Sequence, residues 1–106
     1  MQEFTDNSGK VWTLTMNVRA MKRVKARVGF IPGQPGTPDI DLCILVDTLY
    51  AVCVEDPSTM TQDQFDDRID GVLGNAIEVL ENEISDFSQR QGLMGTTTEQ
   101  PQTSGN

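Results

Sequence analysis

The feature that most constrains this chain is one long apolar segment, IDLCILVDTLYAVCV, at residues 40–54. A membrane-spanning helix needs about 20 mostly apolar residues, and this segment has only 15 and includes two aspartates. It is therefore too short and too polar to cross a bilayer, and it has to be covered by the rest of the chain. Its length and the spacing of Leu42, Leu45 and Leu49 predict a buried helix rather than a buried strand.

The residues before this segment predict a β-hairpin and a helix. In residues 1–16, apolar and polar side chains alternate around Trp12, and DNSG supplies residues that tolerate a tight turn. Residues 17–28 follow a helical period, with Asn17 as the N-cap. The apolar side chains of this helix fall on one side and its cations on the other, so we expect one buried face and one basic face.

Two more helices are predicted after the apolar segment. Residues 62–69 follow Thr61 and Gln64, which have the spacing of a capping box. Residues 71–90 carry an apolar stripe at helical spacing, formed by Leu73, Ile77, Leu80, Ile84 and Phe87. We assign the acidic side chains of this last helix, Glu83 among them, to its solvent side.

Together these elements predict a single α+β domain, mostly α, with an N-terminal hairpin followed by about four helices in a small bundle. The domain is expected to span residues 1–91, since 106 residues suffice for one domain only. The Gly- and Pro-rich stretch at 29–38 is expected to form a long loop. Residues 92–106 lack an apolar pattern and are rich in Thr, Gln and Gly, so we expect a disordered tail there.

The composition argues against enzymatic activity. There is no histidine, which removes Ser-His and Cys-His nucleophile pairs and histidine metal ligands. Cys43 and Cys53 are too far apart on a helix for a disulfide and too few for a zinc site, so we expect two buried thiols. A calcium loop starting at Asp66 fails because its twelfth position is Ile77, where a Glu is needed. We therefore predict a non-enzymatic protein without a metal or cofactor.

The charges are unevenly distributed along the chain, whose net charge is −8. Cations cluster in the first predicted helix, namely Arg19, Lys22, Arg23, Lys25 and Arg27. An acidic protein is a poor general binder of nucleic acid, and no aromatic residue interleaves with these cations for base stacking. The basic face is either a solvated surface or a docking surface for an acidic partner. A second copy of the chain is one such partner, so the sequence leaves a homo-oligomer open.

Three stretches of the chain, in their order and spacing, resemble the small tail assembly chaperones encoded by tailed bacteriophages. They are DNSGKVWTLTMNVRAMKRVKARVG, LVDTLYAVC and MTQDQFDDRIDGVLGNAIEVLENEISDF, which together span roughly residues 5–90. The Gly- and Pro-rich loop departs from the family pattern, in which more helix is expected at that place.

The resemblance implies a non-enzymatic protein of the host cytoplasm. Such a protein binds the phage tape-measure protein, keeps it soluble and recruits tail-tube protein around it, with no membrane involved. We assign partner binding to Arg19, Lys22, Arg23 and Arg27, which we expect on a helix face that the core does not need, and to Trp12. The main alternative is a small structural virion protein, such as a tail-completion or connector subunit. A third alternative is a small regulatory adaptor unrelated to phage.

The last predicted helix gives the most direct test of these assignments. Leu80 lies in the middle of its apolar stripe, so we expect Leu80→Ala to lower the free energy of unfolding by about 2–5 kcal/mol. Denaturant unfolding followed by circular dichroism measures this loss. An unchanged unfolding midpoint would mean that the buried face of the helix is misassigned.

Overall fold

The computed structural model of the protein describes residues 2–32, 36 and 38–93. Within these residues, an antiparallel two-stranded hairpin is followed by four helices. The elements are β1 (Gln2–Thr5), β2 (Val11–Leu14), α1 (Val18–Val28), α2 (Leu42–Cys53), α3 (Gln62–Ile69) and α4 (Leu73–Arg90). The predicted fold class, α+β and mostly α with an N-terminal hairpin, is confirmed.

The hairpin turn is organised by one buried carboxylate, that of Asp6. This carboxylate accepts hydrogen bonds from the backbone N–H groups of Ser8 and Lys10, from the Ser8 hydroxyl and from the Trp12 indole Nε1 at 2.9 Å. Arg68 of α3 approaches it at 3.4 Å. Burial acts to raise the pKa of Asp6, but these hydrogen bonds outweigh it and hold the pKa well below its usual range.

The same turn fastens the hairpin to the end of α3. The side-chain amide of Asn7 donates to the backbone carbonyls of Asp67 at 2.6 Å and Asp70 at 2.9 Å. The Asn7 backbone N–H donates to the carbonyl of Arg68 at 3.0 Å. Carbonyls at a helix C-terminus have no partner within the helix, so the turn satisfies three acceptors that would otherwise need water.

The helix boundaries agree with the sequence at the capped ends and differ elsewhere. Asn17 caps α1, and Thr61 and Gln64 form the capping box of α3, as predicted. The helix predicted at 40–54 begins two residues later, because Asp41 accepts the hydrogen bond from the N–H of Ile44 and acts as its N-cap.

The helix predicted at 71–90 also begins two residues later, at Leu73. Gly71 has a φ of 87°, which lies outside the right-handed helical region and separates α3 from α4. The residue before α4 is Val72, which provides no side-chain cap, so Asp70 does not cap α4 but ends α3.

The solvent-side assignment of Glu83 is wrong. Glu83 is only 1% exposed, and its Oε2 accepts hydrogen bonds from the Met16 N–H at 2.8 Å and from Arg90 at 3.3 Å. Arg90 also donates to the Met16 carbonyl at 2.9 Å. Side chains of α4 therefore bind both the backbone N–H and the backbone carbonyl of Met16, which lies between β2 and α1. On a helical wheel Glu83 falls between Val79 and Ala76, which are buried, rather than among the exposed acids.

The core forms between the hairpin, the second half of α2 and the inner faces of the other helices. Fully or almost fully buried side chains include Leu14, Val24, Leu49, Phe65 and Leu80. The ring of Phe65 makes edge contacts with Trp12 at 5.4 Å and Tyr50 at 5.6 Å between ring centroids. These two contacts join the hairpin, α2 and α3 in one aromatic cluster.

The chain end predicted as a tail is described only in part, because residues 94–106 lie outside the described residues. Gly92 and Leu93 are described, and they complete α4 rather than leave it. The Gly92 N–H donates to the Gln89 carbonyl and the Leu93 N–H to the Ser88 carbonyl, which is the bonding pattern of a Schellman motif. The hydrogen bonds that complete α4 therefore include Gly92 and Leu93, which we had assigned to the tail.

The low pKa of Asp6 leads to an expectation about acid stability. A carboxylate whose folded-state pKa lies below its unfolded value, here near 3.8, contributes stability that is complete above about pH 4 and is lost as the pH falls further. We expect Asp6→Asn to lower the melting temperature at pH 7 and to flatten the loss of stability below pH 4. Urea unfolding at pH 7, 4 and 3 measures this, and parallel pH profiles for the wild type and the variant would contradict it.

Candidate functional site

The basic face of α1 is the candidate site that the sequence singled out. The buried side of α1 is centred on Ala20 and Val24, which are both 0% exposed, and Met21 and Val28 are only partly buried. Arg23 and Arg27 lie on the side of α1 that contacts α2, so the basic face is divided into two groups of cations.

Arg23 belongs to the fold rather than to a free surface. Its Nε donates to the Ala51 carbonyl at 2.8 Å and its Nη2 to the Val52 carbonyl at 3.3 Å. These carbonyls lie in the last turn of α2, where a helix has unsatisfied acceptors and a negative dipole end. Arg23 thus ties α1 to the C-terminus of α2.

Arg27 also makes contacts within the chain. Its guanidinium lies 4.4 Å from the centroid of the Tyr50 ring, a cation–π distance, and its Nε donates to Gln62 at 3.0 Å. The Tyr50 hydroxyl in turn donates to the Met60 carbonyl at 2.6 Å. We expected the core to need none of the predicted binding cations, whereas Arg23 and Arg27 both make contacts within the chain.

Three cations of α1 remain directed to solvent: Arg19, Lys22 and Lys25, which we call the cationic strip. They lie three residues apart, so they follow one side of the helix. Val18, at 47% exposed, lies at the N-terminal end of the same helix. None of the three side chains makes a hydrogen bond or ion pair with another described residue, so only the helix determines their position.

Trp12 lies in the core and not on the partner-facing surface that we assigned to it. The residue is 8% exposed, its indole N–H is bonded to Asp6, and Phe65 packs against its ring. The ammonium group of Lys10 lies 4.5 Å from the centroid of the ring. The structure therefore gives Trp12 a role in joining the hairpin to α3.

The two cysteines differ from each other and from the prediction of two buried thiols. Cys43 is exposed in the first turn of α2, and Cys53 is partly buried at the other end of the helix. Burial raises the pKa of the Cys53 thiol to about 12, although the charge of Arg23 acts to lower it. A thiol with so high a pKa is protonated at neutral pH and is a poor nucleophile.

The burial of α2 changes along its length, which the sequence did not predict. Five consecutive residues from Thr48 to Val52 are buried, whereas Leu42 is 60% exposed and Ile40, just before the helix, is 39% exposed. The apolar segment is therefore only half a core helix. The start of the segment presents apolar side chains at the surface.

Searches against protein-family models, curated proteins and solved structures find no match to this chain. No helix in the described part of the chain is long and apolar enough to cross a membrane. Among the same residues, no three His, Cys, Asp or Glu side chains are arranged to hold a metal ion.

Two residues that sequence reasoning missed carry an identifiable signal. Asp6 begins an Asp-x-Ser-Gly run, a pattern in which the carboxylate bonds the backbone two residues later. Glu83 could be found from its wheel position inside the buried face of α4. No local signal shows that Arg23 bonds within the fold while Lys22 faces solvent. Which of the two bonds to α2 depends on where the end of α2 lies in the tertiary structure.

The division of the basic face can be tested with two neighbouring substitutions that remove one charge each. Arg23→Met keeps the apolar stem but loses the bonds to α2, so we expect the free energy of unfolding to fall by about 1–2 kcal/mol. Lys22→Met lies on the exposed side and should change it by no more than about 0.5 kcal/mol. Urea unfolding of both variants measures the difference, and equal values would show that the Arg23 bonds do not stabilise the fold.

Proposed function

We propose that this protein is a non-enzymatic chaperone of bacteriophage tail assembly that acts in the host cytoplasm. In this role it binds the tape-measure protein, keeps it soluble and recruits tail-tube protein. The observation that carries the proposal is the cationic strip, because Arg19, Lys22 and Lys25 form a ready docking surface that the fold itself does not use.

The strip suits an acidic segment of a protein partner. Its three cations are presented by a helix whose other side is fixed to α2, so their spacing is set before a partner arrives. The backbone of the helix therefore needs no ordering on binding, although the exposed side chains still lose rotamer entropy, and the charges raise association rates by steering the partner. The strip follows a helix face rather than surrounding a pocket, which favours a partner that is itself extended or helical.

The exposed start of α2 supports the same function. The family resemblance implies that the tape-measure protein is long, helical and aggregation-prone. Its chaperone therefore needs an exposed apolar surface that can cover the apolar side chains of the tape-measure protein. Leu42 and Ile40 supply exposed apolar side chains. Met21, partly buried on α1, adds an adaptable side chain.

The decisive experiment is co-expression with the tape-measure protein of the same phage genome. We expect wild-type protein to keep the tape-measure protein soluble and to co-purify with it. The variant Arg19→Ser, Lys22→Ser, Lys25→Ser removes three positive charges, which takes the net charge from −8 to −11. It should lose most of the co-purifying protein at unchanged melting temperature, and wild-type recovery should fall as salt rises.

A charge-preserving variant provides the matched control. Arg19→Lys, Lys22→Arg, Lys25→Arg keeps three cations at the same positions and should recover as much tape-measure protein as the wild type. If the serine variant recovers as much tape-measure protein as the wild type, the cationic strip is not part of the binding site. Failure of the wild type to keep any tape-measure protein soluble would overturn the proposed function itself.

Mass spectrometry separates the chaperone from the alternative of a structural virion protein. We expect the protein in the infected-cell lysate and not in purified particles, because an assembly chaperone leaves the finished tail. A stoichiometric amount in purified particles would favour a tail-completion or connector subunit.

A further inference from the structure

A second surface, which contains none of the residues of the cationic strip, has the opposite charge and an apolar floor. It is a groove of about 300 Å³ between α2, the end of α3 and the start of α4. The apolar part of its lining comes from Val46, Ile69 and Leu73, and its acidic part from Asp66, Asp67 and Asp70. We call it the acid-rimmed groove.

The floor of the groove continues along α2 as an apolar row. Leu42 lies one turn before Val46 on the same side of the helix and is 60% exposed. Ile69 is 2% exposed and closes the bottom of the groove, while Val46 and Leu73 are partly buried. The groove is therefore an open apolar channel on the outside of the core.

The carboxylates of the rim have no cationic partner among the described residues. Asp66 accepts a hydrogen bond from the neutral amide of Gln62 at 2.6 Å, and Asp67 and Asp70 contribute only their backbone carbonyls to Asn7. Arg68, the one cation of α3, turns to the other side and pairs with Asp6. The rim thus keeps its negative charge.

We propose that the acid-rimmed groove docks a cationic amphipathic helix of another protein. Such a helix presents apolar side chains about one turn apart, which is the spacing of Leu42 and Val46 along the channel. Lysine and arginine stems beside them cover apolar surface while their charged ends reach the rim carboxylates. Those carboxylates are not arranged to converge on one metal ion within the described residues, which fits a partner with several separate charges.

The inference does not depend on the phage assignment, and its test needs no phage protein. The probe is a fluorescently labelled 14-residue peptide of Leu and Lys with Leu at helical spacing, and its comparison peptide carries Glu in place of Lys. Anisotropy titrations at low salt should show saturable binding of the Lys peptide and none of the Glu peptide. Equal binding of the two peptides would overturn the inference.

Two variants with the same net charge separate the groove from the general acidity of the protein. Asp66→Asn, Asp67→Asn, Asp70→Asn and the control Glu3→Gln, Glu78→Gln, Glu81→Gln each remove three negative charges, which takes the net charge from −8 to −5. The control carboxylates are exposed and lie outside the groove. We expect the groove variant to bind the Lys peptide about tenfold more weakly, because three charge pairs act together, and the control to change binding by less than about threefold.

The apolar floor is tested separately with Val46→Thr, which keeps the shape of the side chain and introduces a hydroxyl under the bound helix. This should weaken binding by about fivefold or more, since the covered hydroxyl loses its water. Circular dichroism and melting temperature confirm that each variant is folded. Equal weakening by the groove variant and the control, or no effect of Val46→Thr, would overturn the assignment.

A second copy of the chain is the competing occupant, because α1 itself carries Val18 beside the cationic strip. Analytical ultracentrifugation without peptide decides between the two. We expect a monomer over the concentration range used for binding. The alternative outcome is that the wild type associates with rising concentration and the Asp66→Asn, Asp67→Asn, Asp70→Asn variant does not. That outcome would mean that the groove binds a second copy of the chain, and it would overturn the proposal of a separate partner.

Discussion

The structure depends first on the hydrogen-bonded carboxylate of Asp6. A two-stranded hairpin is marginal in water, and this one is held in place because Asp6 fixes its turn and binds Trp12, whose ring packs against Phe65 of the core. The cost of burying the charge is offset by hydrogen bonds from four donor groups and by the nearby Arg68. The hairpin is thereby both the cover of the core and the anchor for the end of α3.

A second buried carboxylate holds the other end of the hairpin. Glu83 and Arg90 of α4 bind the backbone of Met16, which lies where β2 passes into α1. Asp6 thus fixes the start of β2 from within the hairpin turn, and Glu83 fixes the segment after its end from α4. The contacts of Glu83 and Arg90 with Met16 set the direction in which α1 leaves the hairpin. Arg23 joins α1 to the end of α2.

This internal use of charge decides what is left at the surface. Arg23, Arg27, Arg68 and Arg90 contact carbonyls, rings or carboxylates of the chain itself. Among the residues that the structure describes, the cations of the strip and the carboxylates of the acid-rimmed groove have no such contacts, which leaves two surfaces of opposite charge for the docking roles proposed above. An adaptor that brings two partners together needs two such surfaces, which is the arrangement that a tail assembly chaperone would use.

The sequence by itself determined the elements of this protein, because they rest on local physics. Side-chain periodicity, the Asn17 cap and the capping box at Thr61 gave the hairpin and all four helices, with errors of two residues where Asp41 and Gly71 act as boundaries. Only the tertiary structure decided which charged side chains belong to the fold. Whether Arg23 or Lys22 meets the end of α2, and whether Glu83 faces solvent or Met16, depends on how the helices rotate against each other. That rotation is set by how the side chains of the whole core pack together, which no local sequence pattern encodes.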